Sequence, residues 1–321
     1  MSIKQDIFKY SRQETMTPLT PWFEAQLEKL IDNGTYSDLN TLEDTGRKLV
    51  SELIAYGKKY NIHTVALGMS GGVDSALTAA LFKQAGWRVI GVTMPIHQNP
   101  SETARGIEAC EALGLTHVHV DLTKQYDQLL KNVREYDASI DAPDSAIRRG
   151  NLRVRTRMMT VYNIASMEKG LVGSTDNFSE LAAGFWTLHG DVGDLAPIQS
   201  LLKSWEVPKL AELYGVPAST VFAKPTDGLG ISDGDEAQFG FSYLEFDIIL
   251  MNLCALSESM SRDQVLLEMS VPDSDLSTVN RILDRIKNSS FKRQNPYNLL
   301  HPQQRDRYPG LVRTDATLWN K

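Results

Sequence analysis

The segment Gly68-Met69-Ser70-Gly71-Gly72-Val73-Asp74-Ser75 constrains this chain more than any other. It follows a short apolar run, Thr64 to Leu67, that reads as a buried strand, and it precedes Ala76 to Ala85, which reads as a helix. Adjacent glycines let a backbone approach a ligand closely, and the helix start offers an anion unsatisfied N–H groups and a favourable dipole. Ser70 and Ser75 add hydroxyl donors. Asp74 does not belong in a bare anion cradle, because a carboxylate repels a phosphate unless a divalent cation stands between them. The loop therefore implies a polyphosphate together with Mg²⁺. The lysine and longer glycine spacing of a Walker loop are absent. A plain glycine turn with a capping serine is the structural alternative, and the full Ser-Gly-Gly-x-Asp-Ser pattern at such a junction argues against it.

The same alternation continues downstream. A strand is expected over Arg88 to Met94, a helix over Glu102 to Leu113, a strand over His117 to Val120, and helices from Lys124 to Tyr136 and from about Asn151 to Glu168. Gly170 to Gly173 reads as a further strand, and Asp176–Ala183, Trp205–Tyr214, Ser242–Leu256 and Asp275–Asn288 as helices. Short strands alternating with longer helices predict an α/β fold, a doubly wound parallel sheet with helices on both faces. A helix from Thr41 to Tyr60 leads into the first strand, and another from about Trp22 to Ile31 stands before it. The expected division is an N-terminal extension over 1–40 laid on the core, a catalytic domain over 41–295, and a basic C-terminal tail over 296–321.

Composition narrows the function classes. A net charge of −7 gives no global basic field for nonspecific nucleic-acid binding. Cys110 and Cys254 are the two cysteines and stand far apart, which excludes a disulfide framework or a cysteine zinc cluster. Met1 to Gln13 lacks the pattern of a secretory signal and no run reaches the length of a membrane span, so a cytoplasmic protein is expected.

The glycine loop resembles the signature of ATP pyrophosphatases, which split ATP between its α and β phosphates and transfer AMP to an oxygen. Four later segments narrow the resemblance. Asn151-Leu152-Arg153-Val154-Arg155-Thr156-Arg157-Met158 is similar to the Gly-Asn-x-x-Ala-Arg-x-Arg-Met stretch of NAD synthetases. Gly173-Ser174-Thr175-Asp176-Asn177-Phe178-Ser179-Glu180 resembles their Gly-Thr-x-x-x-x-Glu segment. Gly184 to Asp191 resembles Gly-Phe-x-Thr-Lys-x-Gly-Asp. Asp194 to Ile198, Lys203 and Pro225-Thr226-Asp227 follow in the family order. The chain is thus identified as resembling the ammonia-dependent NAD synthetases over about residues 40 to 295.

That resemblance implies an adenine nucleotide alpha hydrolase-like fold and an enzyme that amidates deamido-NAD to NAD through an acyl-adenylate, releasing AMP and pyrophosphate. It implies that Gly68 to Ser75, Thr175, Lys203 and Thr226 contact ATP, that Asp74 and Glu180 hold Mg²⁺, and that Arg155, Asp194 and Lys292 bind deamido-NAD. Asp191 is the aspartate expected to take the ammonium proton, and Asp191, Asp74 and Lys203 are the expected catalytic residues. A homodimer is implied. The chain has too few cysteines and too little spare length for a fused glutaminase, so free ammonia or a separate glutaminase partner must supply nitrogen. Several positions depart from the family pattern: Leu188 replaces a lysine, Ile147 an aromatic residue and Phe291 a histidine, and Val192-Gly193 shortens a glycine pair. All stand on the dinucleotide side.

Other residues have plainer readings. His117 and His119 alternate on a strand and are expected to pack rather than bind metal, whereas His189 lies inside a matched segment. Gly228-Leu229-Gly230 is expected to form a lid rather than a dinucleotide loop. Arg148, Arg149, Arg153, Arg155 and Arg157 form a basic cluster in which at least Arg155 is expected to meet phosphate. Two competing functions remain: another synthetase of the ATP-pyrophosphatase type acting on a different carboxylate, and a noncatalytic ATP-binding regulatory protein.

Overall fold

Val65, Ala66 and Leu67 are fully buried, which places their strand in the middle of the molecule. The structure, a computed structural model, describes residues 2–11, 18–224, 234–257 and 259–294. Its N-terminal part holds helices α1 (Ile3–Tyr10) and α2 (Pro21–Asp32), followed by α3 (Leu39–Tyr60). Ser2, Thr20 and Asp38 cap the three helices by accepting from backbone N–H groups. Because α3 begins at Leu39, the boundary expected at residue 40 falls inside a helix.

The sheet follows: β1 (Thr64–Gly68), α4 (Val73–Gln84), β2 (Arg88–Thr93), α5 (Pro100–Ala112), β3 (Thr116–His119), α6 (Thr123–Tyr136), α7 (Ala146–Met167) and β4 (Leu171–Val172). Two short 3-10 turns, Ala138–Asp141 and Pro143–Ser145, lead into α7. Strand order is β3-β2-β1-β4 and every pairing is parallel. The order reverses between β1 and β4, and ligands of such sheets gather beyond the strand ends at that switch. After β4 come α8 (Phe178–Ala183), α9 (Glu206–Leu213), α10 (Ala218–Val221), α11 (Asp235–Phe239), α12 (Tyr243–Cys254), α13 (Arg262–Glu268) and α14 (Asp273–Asn288).

Alternate strand residues feed two cores, as the pleat requires. Val65, Leu67 and Val89 join α2, α4, α9, α12 and α14 on one face. Ala66, Ile90 and Val92 join α6 and α7 on the other. The doubly wound parallel sheet expected from the sequence is thus present with helices on both faces. Among the described residues no helix is long and apolar enough to cross a membrane. Residues 225–233 and 295–321 lie outside the description, and with them Thr226, the expected lid and the C-terminal tail.

Candidate active site

The glycine loop joins β1 to α4 at the C-terminal edge of the sheet, beside the switch point. All eight residues from Gly68 to Ser75 line a cleft of about 520 Å³. Gly71 has φ +86°, and a Cβ there would stand 2.1 Å from the Glu102 carbonyl oxygen. A Cβ on Gly106 of α5 would stand 2.6 Å from the Met69 carbonyl oxygen, so the loop and α5 meet on backbone. The loop is tied internally as well. Ser70 Oγ accepts from Gly72 N at 3.2 Å, and Ser75 Oγ donates to the Gly72 carbonyl at 3.0 Å. Gln98 Nε2 donates to the Ser70 carbonyl at 3.3 Å and Arg105 Nε to the Gly71 carbonyl at 3.1 Å. The loop is therefore a preformed cradle held against α5.

Asp74 stands in the first turn of α4 and Glu180 in the first turn of α8. Lys203 Nζ reaches both: it donates to Asp74 Oδ2 and lies 3.5 Å from Glu180 Oε1. Asn177 Nδ2 donates to Asp74 Oδ1 at 2.8 Å, and Asn177 and Glu180 close a capping box on α8. Burial lifts the Glu180 carboxyl well above its ordinary range and Asp74 adds to the effect, while Lys203 opposes it. Burial works against the Lys203 charge, but Asp74 and Glu180 outweigh it and keep the ammonium protonated. Asp235 is a further buried carboxylate on the cleft wall, where it adds to the negative potential at Lys203 and Glu180.

Three consecutive amides hold the Lys203 turn. Leu202 N donates to Glu206 Oε2 at 2.9 Å, Lys203 N to Ser179 Oγ at 2.9 Å and Ser204 N to Asp247 Oδ2 at 3.0 Å. Ser179 Oγ in turn donates to Asp247 Oδ1 at 2.5 Å. Asp247 is fully buried on α12 and its carboxyl is pushed up to about 7 by that burial. One side chain thus ties the segment carrying Glu180 to the segment carrying Lys203.

Basic and aromatic side chains also line the cleft. Arg157 lines the cleft and donates through Nε to the Met94 carbonyl at 2.9 Å; burial lowers its guanidinium to about 10. Lys292 Nζ donates to the Gly184 and Trp186 carbonyls at 2.7 and 2.5 Å and lies 5.5 Å from the Trp186 ring centroid. Asp191 and Thr175 also line the cleft. Asp191 Oδ2 accepts from Thr187 N at 2.5 Å, and burial raises its carboxyl to about 6.

Not every expected residue meets there. Arg155 is exposed on α7 and donates to the Leu188 carbonyl at 3.1 Å, and Asp194 is exposed and accepts from Tyr162 Oη and Val172 N at 2.9 and 2.8 Å. Neither lines the cleft. Two residues apart on a helix is about 200° of rotation, so Arg157 faces inward where Arg155 faces out. His189 is exposed with φ 60°, and His117 and His119 both meet the Thr93 hydroxyl at 2.9 Å. Sequence reading named Arg157 in the basic cluster but singled out Arg155 from it, and it passed over Gln98, Arg105, Asn177, Asp235 and Asp247, of which Asn177 stood inside a segment already singled out.

Residues 46–296 match the sequence model of a family described as NAD synthase. The chain belongs to this family. A protein of Thermococcus sibiricus named NH(3)-dependent NAD(+) synthetase is 33% identical over 252 residues, which are 78% of this chain and 94% of that one. A protein of Methanocaldococcus jannaschii with the same name is 31% identical over 268 residues, 80% and 96% of the two chains. Among solved structures, the NH3-dependent NAD synthetase of Campylobacter jejuni in complex with nitrate superposes with a TM-score of 0.62 and 26% identity, over 81% of this chain and 99% of that one. An NMN synthetase of Francisella tularensis shares the fold, with a TM-score of 0.66 and 24% identity over 81% and 98% of the chains. All the cleft residues lie inside the NAD synthase match, whereas α1, α2 and the start of α3 lie outside it.

Proposed function

We propose that this NAD synthase family member amidates deamido-NAD to NAD with ammonia, at the expense of ATP, and releases AMP and pyrophosphate. The observation that carries the reading is the convergence of Asp74, Glu180 and Lys203 beside the glycine loop, in one cleft at the sheet's switch point. A carboxylate is a poor electrophile with no good leaving group, so amidation needs prior adenylation. The glycine loop and the start of α4 receive the polyphosphate, Thr175 on the cleft wall binds ATP beside them, Thr226 is assigned to ATP by the family resemblance alone, and Lys203 supplies cationic charge to the oxygens that gain charge as pyrophosphate leaves.

Mg²⁺ fits the donors present. Asp74 and Glu180 are hard oxygen ligands that already share one cation, Lys203 Nζ. Among the described residues no group of three or more His, Cys, Asp or Glu is arranged to hold a metal. Two carboxylates completed by substrate phosphates and water is the usual way Mg²⁺ is held. The ion would neutralise phosphate charge during adenylation.

Asp191 then serves the second half. A shielded carboxyl near 6 remains ionised at neutral pH and is a stronger base than an exposed aspartate, suited to holding ammonium and taking its proton so that the freed ammonia attacks the acyl-adenylate carbonyl and AMP leaves. Lys292 binds the dinucleotide at the cleft, and Arg155 on the exposed side of α7 and Asp194, which accepts from Tyr162 of that helix, bind it from outside. Free ammonia, or ammonia from a separate glutaminase, is the nitrogen source in this reading.

A homodimer in the cytoplasm, where ATP is at hand, belongs to the same reading. Met159, Tyr162 and Met167 of α7 are 64%, 40% and 70% exposed, and the Tyr162–Asp194 bond lies on that apolar face. The test of the activity is an assay of purified protein with MgATP, deamido-NAD and ammonium in which NAD, AMP and pyrophosphate are read together. Equal amounts of the three are expected; AMP formation that needs a different acceptor, or none with any acceptor, would defeat the reading.

A further inference from the structure

The N-terminal residues outside the family match do not merely cover the core; they reach the back of the Lys203 turn. Tyr10 of α1 packs edge-on to Trp205 at 5.6 Å between ring centroids, its hydroxyl donates to Glu212, and Lys209 Nζ donates to the same hydroxyl at 3.2 Å. Trp22 and Gln26 of α2 both donate to the Met269 carbonyl, at 3.3 and 3.4 Å. Tyr36 is buried, with 1% of its surface exposed. Past it, the Ser37 carbonyl accepts from Trp205 Nε1 at 2.9 Å, and Ser37 Oγ donates to Glu206 Oε1 at 2.7 Å.

Glu206 is the critical link. It is buried at the start of α9, and its two oxygens divide their work: Oε2 accepts from Leu202 N and Oε1 from Ser37 Oγ. A buried carboxylate is expensive unless its lone pairs are matched, and loss of one donor leaves the full desolvation penalty on the other. Of the three amides that fix the Lys203 turn, two are held by side chains of the catalytic domain, Ser179 and Asp247. The third is held by Glu206, which depends on Ser37.

We propose that Ser37, in the stretch between α2 and α3, is a positioning residue of the catalytic centre: Ser37 holds Glu206, Glu206 holds the Leu202 amide, and the Lys203 turn is thereby kept where its ammonium meets Asp74 and Glu180. The effect on rate rests on the reading that Lys203 serves ATP turnover; the effect on the turn does not. Ser37 touches no substrate, so it acts through Lys203, and its removal changes how well the ammonium is placed rather than how the dinucleotide binds.

The experiment uses the full chain in three variants: Ser37→Ala, Ser37→Thr, which keeps the hydroxyl, and Val279→Ala, a buried α14 position that does not line the cleft and calibrates general destabilisation. Steady-state pyrophosphate release is measured well below each melting temperature, together with amide hydrogen exchange at Leu202, Lys203 and Ser204. For Ser37→Ala the expected result is a fall in kcat of about fivefold or more with KM for deamido-NAD unchanged, and exchange of the three amides faster by about tenfold. Ser37→Thr recovers most of both, and Val279→Ala changes neither. Unaltered amide exchange in Ser37→Ala overturns the proposal whatever the assay shows, and so does a loss of rate matched by Val279→Ala at equal loss of melting temperature. A wild-type protein that releases no pyrophosphate defeats the activity assignment alone, and the exchange data still decide whether Ser37 holds the turn.

Discussion

The Lys203 ammonium donates to the Asp74 carboxylate across 129 positions of sequence and lies 3.5 Å from Glu180. Both acidic side chains are mostly buried, and their mutual repulsion is relieved by the Lys203 ammonium between them. The site therefore joins in one place a glycine loop, a pair of buried carboxylates and a positive charge held between them.

Lys203→Met removes that charge and leaves two carboxylates facing each other. We expect it to lose about 3 kcal/mol of stability in a chelator and to slow adenylation by about 100-fold or more. Millimolar Mg²⁺ should raise the melting temperature of the variant more than that of the wild type, because in the wild type the ion competes with an ammonium already in place. An equal rise in both would show that the ion does not bind between Asp74 and Glu180.

Asp191 sets a pH dependence with a definite sign. Burial lifts its carboxyl from 3.8 to about 6, so the folded protein favours the protonated form. The resulting stability is fully present below pH 3.8 and is lost as pH rises through about 6. Asp191→Asn carries no charge to desolvate and keeps an oxygen for Thr187 N. It should be more stable than wild type by about 2–3 kcal/mol at alkaline pH, the difference vanishing in acid, while NAD formation falls by about 100-fold or more. Denaturant melts at the two pH extremes give the comparison; a constant difference between the proteins would contradict the assignment.

Two glycines with left-handed backbone separate the function of the loop from ordinary turn chemistry. Gly71 meets the Glu102 carbonyl, whereas nothing lies within 4 Å of a Cβ placed on Gly86, whose φ is +78°. Gly86→Ala should cost about 1 kcal/mol and leave turnover intact. Gly71→Ala must push the loop off α5, and we expect pyrophosphate release to fall by about 100-fold or more. Comparable activity in the two variants would mean that the close approach has no part in nucleotide use.

The exposed apolar face of α7 yields a test of assembly. Met159→Glu places a charge in the middle of that face, and sedimentation should show a dimer for the wild type and a monomer for the variant. A wild-type monomer at micromolar concentration would end the dimer proposal.

What could be read in advance follows the range of the forces involved. The glycine loop, α3 to α7 and the parallel alternation were legible because strand pleat and helix period are local, so Val65 and Leu67 on one face and Ala66 on the other are written in three adjacent letters. Helices α1, α10, α11 and α13 were not foreseen, and of these α10 and α11, at four and five residues, are too short for a periodic signal. The cradle's supports were invisible for another reason. Arg105 on Gly71, Asn177 on Asp74 and Asp247 on Ser179 are polar contacts between distant segments, and no spacing rule links their letters. Arg157 is an intermediate case, since helical rotation alone separates it from Arg155, but which of the two faces inward depends on how α7 packs on β1 and β4.

The central claim is best tested by pyrophosphate release in Asp74→Asn with MgATP and deamido-NAD, alongside its circular dichroism and thermal melt. The account predicts a folded protein whose release is lost while the wild type turns over. A folded Asp74→Asn protein that releases pyrophosphate at the wild-type rate would contradict it.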